Sequence, residues 1–73
     1  MARERPEKHS LTLAGHRTSV SLEPDFRAAL QRMAAAEGIS VNALAARVDA
    51  ARAPDVGLAS ALRVAVLRWA LGP

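Results

Sequence analysis

His16-Arg17-Thr18-Ser19-Val20-Ser21-Leu22-Glu23 runs directly into Pro24-Asp25-Phe26. The first part alternates with period two: Thr18, Val20 and Leu22 fall on one side, Arg17, Ser19 and Ser21 on the other. Within one residue the chain then changes to a helical pattern. A lone short strand can neither bury a face nor satisfy its edge hydrogen bonds. It needs a partner, and no other stretch alternates as well. The expected partner is the same strand of a second copy of the chain.

Upstream, Ser10-Leu11-Thr12-Leu13 also alternates, but Ala14-Gly15 interrupts the pattern. Gly15 is read as a bulge or a bend. Residues 10–13 then either lengthen the ribbon or fold back over the body, and the sequence leaves both open. Residues 1–9 (MARERPEKH) are charged and contain Pro6, which predicts a flexible arm. Its plain reading is a solvated tail; its functional reading is an arm that touches phosphate or a groove.

Downstream, Pro24 suits a first helical turn, and Glu23 and Asp25 sit where the helix dipole favours negative charge. Phe26, Ala29, Leu30, Met33 and Ala34 form one apolar stripe, which Gly38 ends as a C′ residue. Ser40 is the natural N-cap of a second helix, with Ile39 placed to staple onto Leu44. Val41, Leu44, Ala45 and Val48 form its inner stripe, and Pro54 closes the segment. Residues 58–71 make a third helix with only Ser60, Arg63 and Arg68 polar. A helix apolar nearly all round is buried or waits for a partner. The organisation expected is an arm (1–9), a core (10–53), and a linker with a C-terminal helix packing on the dimer (54–73).

Composition narrows the function classes. The chain has 73 residues, 51% hydrophobic, with no cysteine, one Phe, one Trp and no Tyr. A core of this size rarely supplies more than about 3–5 kcal/mol without a staple, and no disulfide is available, so oligomerisation is the expected route. The net charge is +3, with every basic residue but Lys8 an arginine; this suits a polyanionic partner. Met1–Ser10 lacks the apolar stretch of a signal peptide, and no run reaches the ~18–20 apolar residues of a membrane span. The expectation is a cytoplasmic bacterial protein without membrane contact. His9 and His16 have no third ligand near them in sequence. No nucleophile–base grouping or glycine-rich phosphate loop appears. The chain is therefore read as no enzyme, with no cofactor and no metal.

Strand, helix, tight Gly-Ile-Ser turn and helix succeed one another with Leu22, Phe26, Leu30, Met33, Ala34, Gly38, Ser40, Leu44, Ala45 and Val48 in register. This resembles the ribbon-helix-helix DNA-binding family over about Arg17 to Arg52. The longer frame resembles a bacterial subfamily with an added C-terminal helix. The resemblance implies a mainly α fold, with one N-terminal strand pairing across a homodimer, then two helices and a third. Thr18, Val20, Leu22, Phe26, Leu30, Met33, Leu44 and Val48 would form the dimer core. Such a ribbon fits the major groove of double-stranded DNA.

Arg17, Ser19 and Ser21 would then face base edges, where only Arg17 can make a bidentate contact to guanine. The first N–H groups of the second helix, at Val41 and Asn42, with Ser40, would hold a phosphate. Base contacts specify and phosphate contacts position. The plain readings are a solvated sheet face for the serines and a simple N-cap for Ser40. Arg47 and Arg52, farther along that helix, are read as surface residues.

The implied function is a sequence-specific transcriptional regulator, most simply a repressor, associated with the nucleoid when bound. The competing reading is a dimeric protein-interaction module such as an antitoxin, with Leu58–Leu71 binding a protein partner.

Overall fold

Among the described residues, two strands and three helices run in the order β1 (Glu7–Leu13), β2 (His16–Leu22), α1 (Pro24–Glu37), α2 (Val41–Ala51) and α3 (Leu58–Leu71). The computed structural model describes residues 4–73. All three helices lie where caps and periodicity predict them.

The strand partner is the main correction. β2 pairs antiparallel with β1 of its own chain, from Glu7 opposite Leu22 to Leu13 opposite His16. Ala14-Gly15 is therefore neither bulge nor bend but a two-residue hairpin turn. Both residues carry positive φ, 51° at Ala14 and 82° at Gly15, the backbone that matches strand twist in tight hairpins. Residues 7–9, expected in the flexible arm, form the start of β1, and residues 1–3 of that arm lie outside the described residues. Ser10–Leu13 lengthen the ribbon. They do so because His9, Leu11 and Leu13 supply a second inward face, matched to Thr18, Val20 and Leu22.

That match decides the packing. Leu11, Leu13, Val20 and Leu22 are buried against Leu30, Met33 and Ala34 of α1, Leu44 and Ala45 of α2, and Leu62 and Val66 of α3. Leu30, Leu44 and Leu62 are the largest fully buried side chains, each worth about 1.5–3 kcal/mol relative to exposure. Phe26, Ile39, Val41 and Val48 pack on the edge of this cluster. Of the residues expected to meet across a homodimer, Val20, Leu22, Leu30, Met33 and Leu44 are covered within one chain, whereas Thr18, Phe26 and Val48 are only partly buried. β1 and α3 provide the cover that a second copy was expected to give.

Local signals set the helix ends. Pro24 opens α1, and Gly38, in the left-handed region at φ 69°, closes it. The Gly38 and Ile39 N–H groups return to the carbonyls of Ala35 and Ala34 at 3.1 and 3.0 Å, which turns the chain into α2. Gly57 stands at the N-cap of α3. Arg63 joins α3 to the strand end: its Nε donates to Glu23 Oε1 at 2.9 Å, and its Nη2 to the Ser21 carbonyl at 3.1 Å. The same guanidinium lies 5.9 Å from the centroid of the Phe26 ring.

Candidate nucleic-acid interface

Because strand residues alternate, pairing two strands whose apolar faces both point inward leaves one continuous outer face. Directly opposite residues share a face. Lys8 lies across from Ser21, Ser10 from Ser19, and Thr12 from Arg17. All six are exposed. The outer face therefore carries two cations at diagonal ends and four hydroxyls, and none of the six is acidic. The predicted base-facing residues Arg17, Ser19 and Ser21 all point outward. Lys8 falls in the stretch that reads as an arm, and Ser10 and Thr12 in the stretch whose place the sequence leaves open, so none of the three reads as a site residue from sequence. The alternation of Lys8, Ser10 and Thr12 against His9, Leu11 and Leu13 was the available signal.

His9 sits on the inner face opposite Val20, where its Nε2 is buried without a hydrogen-bond partner. His16 is exposed beside the turn. Among the described residues, no three His, Cys, Asp or Glu side chains group where a metal ion could sit.

The start of α2 stands beside this face. Ser40 is its N-cap, with extended backbone, and its Oγ accepts the Ala43 N–H at 3.0 Å. The hydroxyl proton remains to donate outward. Asn42 is exposed, and its Oδ1 accepts the backbone N–H of Thr12 at 3.3 Å. That contact occupies the outward N–H of the β1 edge and leaves the Asn42 amide NH₂ group as a donor. The contact fixes the helix terminus to the ribbon, so Ser40, Val41 and Asn42 share one rigid surround with Thr12 and, across the ribbon, Arg17. Of the expected phosphate-facing groups, Asn42 is thus tied to Thr12, the residue opposite Arg17.

Arg47 of α2 and Arg52 at its C-cap are held in ion pairs. Arg47 meets Glu37 at 2.6 Å. Arg52 meets Asp49 at 2.6 Å, and its second nitrogen donates to the Val56 carbonyl at 2.6 Å. Exposed pairs of this kind contribute about 0–1 kcal/mol. Glu23 is held below the ordinary glutamate range, first by the hydrogen bond from Arg63, then by a backbone hydrogen bond and the Arg63 charge. Arg63 was read only as a polar break in an apolar helix; its partners lie far away in sequence, so periodicity carries no trace of them.

Outward, α3 is apolar except at Ser60 and Arg68. Val64, Leu67, Trp69 and Leu71 are exposed, Leu71 to 75%. Val48 and Ala51 of α2, with Ala61, Val64 and Ala65 of α3, line an open groove between the two helices. No helix among the described residues is long and apolar enough to cross a membrane.

A two-stranded antiparallel ribbon with a polar outer face, then a helix, a glycine turn and a helix whose N-terminus borders the ribbon, defines a ribbon-helix-helix module with one added helix. A family model described as "Ribbon-helix-helix domain" matches residues 6–70, and the chain belongs to that family. Its members are generally DNA-binding regulators. No curated protein and no solved structure matches the chain at a significant level.

Proposed function

We propose that this protein is a sequence-specific DNA-binding regulator, most simply a transcriptional repressor, that works as a homodimer and lays its β-ribbon in the major groove. The observation that carries the reading is the exposed ribbon face, with Arg17, Ser19 and Ser21 outward and the α2 N-terminus tied to its edge. Arg17 can present a fork to guanine O6 and N7, whereas serine hydroxyls accept or donate and discriminate weakly. The Val41 and Asn42 N–H groups, the Ser40 hydroxyl and the Asn42 amide are donors for a flanking phosphate. No step needs a cofactor or a catalytic group. A protein acting this way works on the nucleoid, in the cytoplasm.

The second copy is assigned to the open side of α3. Val64, Leu67 and Leu71 share that side and are exposed, and the adjoining groove contains Val48, one of the residues expected in a dimer core. Members of the family generally dimerise. Because the ribbon is complete in each chain, such a pair carries two ribbons, and its operator is an inverted repeat with one subsite for each.

The test is a gel-shift titration on duplexes recovered from a random pool, combined with light scattering of the free protein. Expected are a salt-sensitive complex, a dimeric mass, and a monomeric mass for Leu67→Glu/Leu71→Glu. Failure to enrich any duplex rejects the DNA reading. A monomer that still binds DNA removes the dimer. The exposed apolar face of α3 also favours the second reading, an antitoxin-like module whose C-terminal helix holds another protein; that reading gains if the free protein is monomeric.

A further inference from the structure

The two strands of the ribbon repeat one another. β1 reads Lys8-His9-Ser10-Leu11-Thr12-Leu13, and β2 reads Arg17-Thr18-Ser19-Val20-Ser21-Leu22. Position by position, a cation is followed by an inner polar residue, Ser, an inner aliphatic residue, a hydroxyl residue, and Leu. The register makes this a symmetry and not merely a repeat. Ser10 lies opposite Ser19, Lys8 opposite Ser21, and Thr12 opposite Arg17. A two-fold axis perpendicular to the sheet through the Ser10–Ser19 pair therefore exchanges Lys8 with Arg17 and Thr12 with Ser21. The same operation exchanges the inner residues Leu11 with Val20 and Leu13 with Leu22.

We infer that a single chain reads a quasi-palindromic DNA subsite centred on Ser10 and Ser19, with Lys8, Ser10 and Thr12 of β1 as DNA-contacting residues equivalent to Arg17, Ser19 and Ser21 of β2. The inference rests on the DNA-binding reading above and extends it to a second strand. DNA has a local two-fold axis through each base pair or step, perpendicular to the helix. A ribbon with its own two-fold axis presents the same side-chain pattern to both strands of the duplex. Lys8 and Arg17 stand four residues apart along the ribbon, about 13 Å at ~3.3 Å per residue, on opposite strands. Each meets one half of the subsite.

The symmetry is imperfect at the position that matters most. Arg17 offers a planar fork that matches guanine bidentately, whereas Lys8 is a flexible point charge. The Arg17 half is read strongly and the Lys8 half weakly. The subsite is therefore a palindrome in outline with one dominant half.

Affinity selection of random duplexes by the intact protein, followed by titration of the recovered sequence with Lys8→Ala, Lys8→Arg and Arg17→Ala, tests this. Both substituted side chains are exposed, so the fold is not at stake, and circular dichroism checks that it is kept. Wild type should select a quasi-palindrome with one better-defined half. Lys8→Arg should sharpen the weaker half toward the stronger and tighten binding to the perfect palindrome several-fold, in keeping with the value of a bidentate contact. Lys8→Ala should weaken binding and lower the salt slope by about one. If wild type selects a site and Arg17→Ala loses it, while both Lys8 variants keep the wild-type site, affinity and salt slope, the inference is overturned and the DNA reading stands. If wild type selects nothing, the DNA reading itself fails, and this inference with it.

Discussion

The backbone N–H of Thr12 donates to Oδ1 of Asn42 at 3.3 Å, and this contact joins the ribbon to the first turn of α2. It connects residues thirty positions apart and makes the two candidate DNA-contacting groups one body. Asn42→Ala removes the acceptor and leaves an edge N–H that water can reach. The expected stability loss is at most about 1 kcal/mol, read by urea denaturation. If the α2 terminus holds a phosphate as proposed, DNA affinity should fall by more than this small change in folding would explain, because its positioning is lost. Equal affinity for variant and wild type would detach the α2 terminus from the site.

The hairpin turn stores strain that a substitution can release. Ala14 has φ 51°, a region that costs an L-residue with a Cβ roughly 1–2 kcal/mol. Ala14→Asn creates Asn-Gly, the pair that two-residue turns of this kind favour. It should stabilise the chain by about 0.5–1 kcal/mol. A thermal melt checks the sign: a lower Tm would mean that Ala14 is held by something other than the turn.

The helical part was legible in the sequence because its signals are local and mutually consistent. Phe26, Leu30 and Met33 share a face, Gly38 needs positive φ, and Ser40 caps the second helix; each constrains its successor within a few residues. β1 was not legible for an equally local reason. Ala14-Gly15 lacks the Asn-Gly or Asp-Gly signature, and Glu7 and Lys8 made the start of the strand look like solvated tail. Without a readable turn, the sequence offers β2 a partner only in a second copy. Arg17, Ser19 and Ser21 were readable as one exposed face from alternation alone. The Thr12–Asn42 and Arg63–Glu23 contacts were not, since they depend on where α2 and α3 dock and not on any period.

α3 is part of the core and not an appended arm. Leu62 is fully buried and Val66 is 5% exposed, whereas Leu67 is 54% exposed on the same helix. Leu62→Ala should destabilise by about 2–5 kcal/mol, enough to unfold much of a domain this small. Leu67→Ala should change monomer stability by no more than about 0.5 kcal/mol. Comparable losses in denaturant titrations of both variants would place the core on the wrong face of α3.

Acid should loosen the link between α3 and the strand. The Glu23 carboxyl titrates below its ordinary range because Arg63 donates to it. The unfolded chain therefore binds that proton at a higher pH than the folded one. The stability that this pair contributes is present above the ordinary glutamate pKa and is lost as pH falls through the lowered folded value. Melting curves from about pH 6 to about pH 3 should show wild type losing more stability than Glu23→Gln. Parallel curves would show that the Arg63 contact has no energetic weight.

If the outward face of the ribbon reads DNA as proposed, Arg17 is its strongest reader. The most direct measurement is the affinity of wild type and Arg17→Ala for the selected duplex and for a scrambled duplex, at matched salt. Arg17→Ala should lower affinity for the selected duplex by about 1–3 kcal/mol. Most of the preference over the scrambled duplex should disappear with it. Wild-type binding that does not distinguish the two duplexes, or a variant that keeps the full preference, would contradict that reading.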